Sequence, residues 1–397
     1  MGLHETPRGE RIHIGLFGKT NAGKSSLMNA ITGQHLAVVS EEKGTTTDPV
    51  LKSMELLPLG PVVLMDTPGL DDTSILGKER IKQTYRILEK TDCALVIYQP
   101  GEEDDLKLKE LIKHLENKNV PFLKVMNKKD LLTETLKTQE TFIPVSIYDE
   151  SSIYALKEAI GTKLSLKKQE KYIIRDLLHP KDLVVLVVPV DSAAPKGRLI
   201  LPQQMVLREI LDYHGKIMVV QVEELEETMR QFQSHIRLVI TDSQAFQEVK
   251  EMVPRDVALT SFSILMARYK GDLQKAVAGA RVLKDLPEGS RILISEGCSH
   301  HKQCDDIGTV KLPKWIEAYT GKEFEFHHTN GQEFDLDTKP CDLVIHCGGC
   351  MLSEREMKSR ISSADSFEVP VTNYGILIAQ MNGILERSIE FLRTPTG

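Results

Sequence analysis

Short apolar runs alternate along this chain with amphipathic stretches at helical spacing. The first runs, RIHIGLFG from Arg11, VVLMD ending at Asp66 and LKVMN ending at Asn127, are each of strand length and each stop at a small or polar residue. A helix ends near Lys168, and the charged stretch SLKKQEK around it reads as a linker. Beyond it come LVVLVVPV from Leu183, KIMVVQVE from Lys216 and IRLVITDS from Ile236, interleaved with helical patterns that begin near Pro202 and Leu225. A further pattern starts near Asp256, with strands in RILISEG, CDLVIH and FEVPVTNYG. Strands that alternate with helices predict α/β sheets. The pattern divides into three domains, 1–168, 169–258 and 259–397.

Length agrees with that division, since 397 residues exceed one ordinary core. The longest apolar run, Leu183 to Val190, is far below transmembrane length, so no membrane span is expected. No charged segment followed by an apolar one opens the chain, which makes a cytoplasmic address the expectation; Met1, Gly2 and Thr6 formally fit a myristoylation pattern. A formal net charge of −7 without a basic stripe argues against nucleic acid as a partner. Among six cysteines, Cys93 stands alone in an apolar run, whereas Cys298, Cys304, Cys341, Cys347 and Cys350 crowd into one short segment.

Chemistry enters first in the strand, glycine-rich turn and helix of RIHIGLFGKTNAGKSSLMNAI. Gly18 to Ser25 match GxxxxGK[ST], in which backbone N–H groups cradle phosphates, Lys24 reaches the β and γ oxygens and Ser25 ligates magnesium. Asn21, Ala22, Gly23 and Ser26 complete the candidate phosphate-binding set. Asp66, at a strand end, holds magnesium through water, and Gly69 offers an N–H to a γ-phosphate. Asn127, Lys128 and Asp130 match the guanine-reading NKxD. In FIPVSIYDE, Ser146 falls in the segment that packs on guanine, with Ile147 in place of the usual alanine. Over roughly the first 165 residues the chain resembles the translation-factor-related GTPases, especially the tRNA-modifying and ribosome-assembly group. The resemblance implies GTP and GDP as ligands with Mg2+, and aligns Thr46, or Thr45 or Thr47 in a shifted register, with the switch threonine that binds magnesium. Leu70 stands where Ras-like enzymes carry a water-positioning glutamine, which implies slow hydrolysis. Asn21 falls where potassium-activated relatives hold K+, although it would equally serve to shape the loop.

In the last domain the first strand runs into Cys298 and His300, and the second into His346, Cys347 and Cys350. Ligands of open α/β sheets gather at the carboxyl ends of strands, so these groups are expected to converge. Three thiols and two imidazoles suit a closed zinc site, a 4Fe-4S cluster on three cysteines or a mononuclear iron; a CxxC thiol pair with unrelated histidines is the bland reading. A phosphate-loop GTPase followed by an α/β unit and then CSH…HCGGC is similar to the GTPase maturation factor of the iron–iron hydrogenases, across nearly the whole chain. That resemblance implies a 4Fe-4S cluster on Cys298, Cys347 and Cys350 with an exchangeable fourth site, and a middle domain that makes a homodimer. It implies a scaffold that receives a diiron precursor made with two radical-SAM maturases and delivers it to apo-hydrogenase. His300 and His346 match that family's histidines, while Cys304 and Cys341 lie outside its motif. The competing reading is a ribosome-assembly or tRNA-modification GTPase with a zinc-stabilised C-terminal module; a vestigial GTPase on a structural metal protein is disfavoured by the complete nucleotide motifs. If K+ at Asn21 supplies charge to the reaction, GTP hydrolysis is expected to be faster in potassium than in sodium; equal rates sink that role.

Overall fold

The computed structural model describes residues 6–33, 50–71, 77–131, 141–165, 171–189, 199–297, 307–331, 334, 336 and 340–393. Thr46 and its neighbours, Cys298, His300 and Cys304 lie outside the described residues. The chain divides into two compact units, Met1–Gln169 and Glu170–Gly397. Among the described residues no helix is long and apolar enough to cross a membrane.

In the first unit six strands, β1 (Ile12–Gly18), β2 (Leu51–Leu56), β3 (Gly60–Asp66), β4 (Cys93–Tyr98), β5 (Phe122–Met126) and β6 (Ile143–Pro144), form one sheet in the order β2-β3-β1-β4-β5-β6. Only β2 pairs antiparallel, with β3; the other pairings are parallel. Successive side chains of β1 enter opposite layers. Ile14 and Leu16 pack with Leu27, Ile31 and Ile160, whereas Phe17 packs with Leu108, Leu111 and Leu115. Burial on both faces explains why these strands read as continuous apolar runs. Cys93 is wholly buried on β4, and burial pushes its thiol up to about 12, as suits a core residue.

The second unit contains two four-stranded sheets. One joins β7 (Leu183–Val187), β8 (Lys216–Val220), β9 (Ile236–Thr241) and β10 (Ala258–Ser261) in the order β10-β9-β7-β8; the other joins β11 (Arg291–Glu296), β12 (Glu325–Asn330), β13 (Leu343–His346) and β14 (Val371–Asn373) in the order β12-β11-β13-β14. Every pairing in both sheets is parallel.

Two of these strands were not anticipated. β10 spans the 258/259 division expected from the sequence and pairs with β9, so that division falls at the first peptide of a strand of the middle sheet. It is only four residues long, ALTS, too short for a periodicity to register. β12 reads EFHHTN, an edge strand whose polar residues mask any apolar run. One apolar cluster that includes Val185, Leu259, Ile294 and Leu343 runs through both sheets, which is why residues 170–397 form one body.

The helix Leu273–Val282 crosses β14 so closely that a Cβ on Gly279 would lie 2.2 Å from the carbonyl oxygen of Val371. Gly279→Ala should therefore force these elements apart and lower stability by about 1–3 kcal/mol, seen as a shifted urea midpoint.

Candidate functional site

The phosphate loop connects the carboxyl end of β1 to the helix Lys24–Thr32. Two positive φ angles make the loop turn, +62° at Asn21 and +84° at Gly23. Asparagine tolerates the left-handed region, and glycine takes it without strain. Gly23 is also sterically required, since a Cβ there would lie 2.4 Å from Asn127 Nδ2. Lys24 is buried and donates to the carbonyls of Gly18 (3.2 Å) and Lys19 (2.8 Å), which holds its ammonium over the loop. Burial lowers its pKa, against the pull of the Asp66 carboxylate. Ser25 and Ser26 are exposed in the first helical turn, and Ala22 is fully buried beneath the loop.

Ser25 Oγ donates to Asp66 Oδ2. Burial raises the Asp66 pKa, and its Oδ1 is buried without a hydrogen-bond partner. An orphaned carboxylate oxygen beside a serine hydroxyl fits a divalent cation, which would take both as direct or water-bridged ligands. Gly69 lies against the loop, where a Cβ would sit 2.3 Å from Thr20 Oγ1 and 2.7 Å from Thr20 N. No other residue fits there without displacing the loop.

NKxD is joined to the phosphate loop directly. Asn127 Nδ2 donates to the carbonyl of Ala22 (2.9 Å), and Lys128 Nζ donates to the carbonyl of Asn21 (2.9 Å) and to Gln99 Oε1 (2.6 Å). Ser146 Oγ donates to Asp130 Oδ1 at 2.6 Å, which aims the exposed carboxylate that would read guanine. Ser146 is thus an orienting group. Lys19 bonds Asp105, the N-cap of the helix Leu106–Asn117, at 2.9 Å and fixes the loop from its other side. Gln99 and Asp105 escaped the sequence reading because neither belongs to a nucleotide motif, and Lys19 because it stands at a variable position of one.

The cysteine loop follows β13. Cys347 Sγ accepts N–H from Gly297 at 3.1 Å and from Gly349 at 3.4 Å, and Gly349 takes φ +64° to turn the chain toward Cys350. Burial pushes the Cys347 thiol up to about 11, opposed by those two N–H groups. Gly297 immediately precedes Cys298 in sequence, so the contact ties the two cysteine segments together. Backbone N–H groups aimed at sulfur are the arrangement that stabilises a metal-bound thiolate, and the thiol chemistry fits an iron–sulfur group. Among the described residues no three His, Cys, Asp or Glu side chains are gathered as a metal site.

His346, a candidate ligand, is buried with both ring nitrogens hydrogen-bonded: Arg360 donates to Nε2 at 2.9 Å, and Nδ1 donates to the carbonyl of Cys347 at 2.9 Å. Burial and the Arg360 charge push its pKa down to about 3. A neutral ring so engaged braces the loop. Arg360 also donates to Ser295 Oγ, Gly331 O and Glu356 Oε1. Lys270, at the end of the helix Phe262–Lys270, donates to the carbonyls of Cys350 (3.1 Å) and Leu352 (2.9 Å). The i,i+4 pair of Glu356 and Arg360 was visible in sequence, but its target was not. Cys341 is half-buried, with its thiol pushed up to about 11 by burial.

Comparison with known proteins adds to this geometry. A family model described as hydrogen maturase F dimerization domain matches residues 173–271, and one described as hydrogen maturase F tetramerization domain matches residues 274–391. The chain belongs to the hydrogen maturase F family. A third model, described as 50S ribosome-binding GTPase, matches residues 13–128, and the chain is a GTPase that hydrolyses GTP, which implies GTP, GDP and Mg2+ as ligands. The two other modules are oligomerisation modules, in accord with the expectation that the middle sheet dimerises. For the last sheet, read from sequence as a cluster domain, the match is to tetramerization.

The chain is 33% identical over 193 residues to the tRNA modification GTPase MnmE of Nitrosomonas eutropha, covering 44% of this chain and 42% of that one. It is 34% identical over 174 residues to MnmE of Legionella pneumophila, covering 43% and 38%. The chain thus spans about two fifths of the length of these curated relatives. Among solved structures, a variant of Aquifex aeolicus Era bound to GDP.AlF4- aligns with 18% identity and a TM-score of 0.33, over 55% of this chain and 97% of that one.

Arg360→Met removes a buried cation from Glu356 and the donor from His346. It is expected to cost about 3–5 kcal/mol of stability, measured by denaturant unfolding; an unchanged midpoint would make the network dispensable.

Proposed function

We propose that this GTPase is a scaffold and carrier in hydrogenase maturation, with Cys298, Cys347 and Cys350 holding a 4Fe-4S cluster. The observation that carries the reading is the pair of N–H groups on Cys347 Sγ, one of them from the residue before Cys298. When bound, the cluster supplies an iron with an exchangeable coordination position. The chain's own residues do the rest: Gly349 turns the backbone between the two thiols, Lys270 holds the carbonyls beyond Cys350, and Arg360 fixes His346 against Cys347. His300 and His346 are the histidine candidates for the fourth position, His346 on condition that Arg360 gives up Nε2. The cargo is a diiron precursor, received with two radical-SAM maturases and passed to apo iron–iron hydrogenase. Thr46 closes over the γ-phosphate and magnesium, and hydrolysis switches the surface presented to partners. Domain limits near 1–168, 169–271 and 272–397 and a cytoplasmic address complete the proposal.

The tRNA and ribosome alternative draws only on the first unit, since the MnmE matches cover less than half of the chain. Anaerobic purification should yield protein with iron and sulfide and an EPR signal on reduction; zinc without sulfide rejects the cluster. Cys347→Ala is expected to lose iron and sulfide and keep GTP hydrolysis, while Lys24→Ala does the reverse.

A further inference from the structure

Leu70 takes the place of a water-positioning glutamine and is buried, so it offers nothing polar to a phosphate. Its neighbour does. Asp71 Oδ1 accepts the backbone N–H of Thr20 at 2.6 Å, within the phosphate loop. The segment is held there by two further contacts. Leu70 N–H donates to the carbonyl of Gly18 at 3.3 Å, and Gly69 packs so tightly on Thr20 that no side chain fits between them.

The N–H groups of such a loop form an anion-binding concavity. A carboxylate on one of them occupies a position that a phosphate oxygen would compete for. Two charges around it sharpen the competition. Lys24, which would hold the β and γ oxygens, feels the Asp71 carboxylate as well as that of Asp66. Partial burial works against the Asp71 charge, but the Thr20 donors and Lys19 outweigh it and hold the carboxyl below its usual range, so it is an anion at neutral pH.

We propose that Asp71 determines the preference between GTP and GDP: its carboxylate holds the Thr20 N–H, and a third phosphate must displace it to bind. GDP leaves the contact in place. GTP brings a like charge against the carboxylate, so binding exchanges one anion for another on the same N–H and releases Asp71. Gly69 is two residues away on the same segment, so this exchange moves the residue whose N–H would sense the γ-phosphate. The loss of affinity for GTP is the energy that shifts the segment. Asp71 is thus a specificity-determining residue of the established hydrolase site. It resembles no motif residue, and only its contact with Thr20 reveals it.

The test compares full-length wild type, Asp71→Asn and Asp71→Glu for binding of fluorescent GDP and a fluorescent non-hydrolysable GTP analogue in Mg2+. Asparagine keeps an acceptor for Thr20 and removes the charge. Asp71→Asn is expected to bind the GTP analogue about three- to tenfold more tightly, with GDP affinity unchanged, and Asp71→Glu to keep the wild-type ratio. Raising the salt concentration should narrow the gap between wild type and Asp71→Asn. An unchanged ratio overturns the proposal, and so does an equal gain for both nucleotides. A large fall in single-turnover hydrolysis at an unchanged ratio also overturns it, in favour of proton transfer by Asp71. GDP binding reports folding for each variant, and Asp71→Ser replaces any variant that fails to bind GDP.

Discussion

Parallel pairing puts the carboxyl ends of neighbouring strands at one edge of a sheet, and the chemistry of this protein depends on that constraint. In the first unit β1, β3 and β5 end in the phosphate loop, Asp66 and Asn127, three segments far apart in sequence. In the second unit β11 and β13 are paired neighbours, so Gly297 and Cys347 leave the sheet side by side. Antiparallel pairing would have sent each member of these pairs to opposite edges.

A strand that ends in a functional loop leaves backbone groups unsatisfied, and the protein meets this with buried cations. Lys24 takes the carbonyls of Gly18 and Lys19, while Lys270 takes those of Cys350 and Leu352. Once carbonyls are drawn to an ammonium, the N–H groups of the same loop are free to face an anion. In one loop that anion would be phosphate; in the other the N–H groups meet the Cys347 sulfur. Leaving such carbonyls buried and unpaired would cost on the order of 1–3 kcal/mol each.

The second unit also shows how its two modules act on one another. The family models meet between residues 271 and 274, where Asp272 caps the helix Leu273–Val282. Lys270, on the helix just before that junction, belongs to the dimerization module and holds the cysteine loop of the next one. An apolar core shared by both sheets packs the two modules against one another.

The amino-acid sequence by itself determined the α/β class, the nucleotide motifs and the cysteine pattern, because each is written in contiguous residues at fixed spacing. It placed Asp66 and Asn127 at strand ends and Lys24 in the turn-to-helix segment after the first strand; β3 ends at Asp66, β5 ends one residue before Asn127, and Lys24 opens the helix that follows β1. It passed over β10 and β12, whose pairing depends on neighbours rather than on their own apolar content. It offered His346 as a ligand, since a histidine beside cysteines has that chemistry; Arg360, fourteen positions away on a helix, decides where its lone pair goes. Ser146 on Asp130, Lys270 on the cysteine loop and Asp71 on Thr20 likewise join residues across the fold. The sequence names the groups that carry chemistry, and the tertiary structure decides which of them are occupied, because a hydrogen bond depends on distance in space and not on distance along the chain.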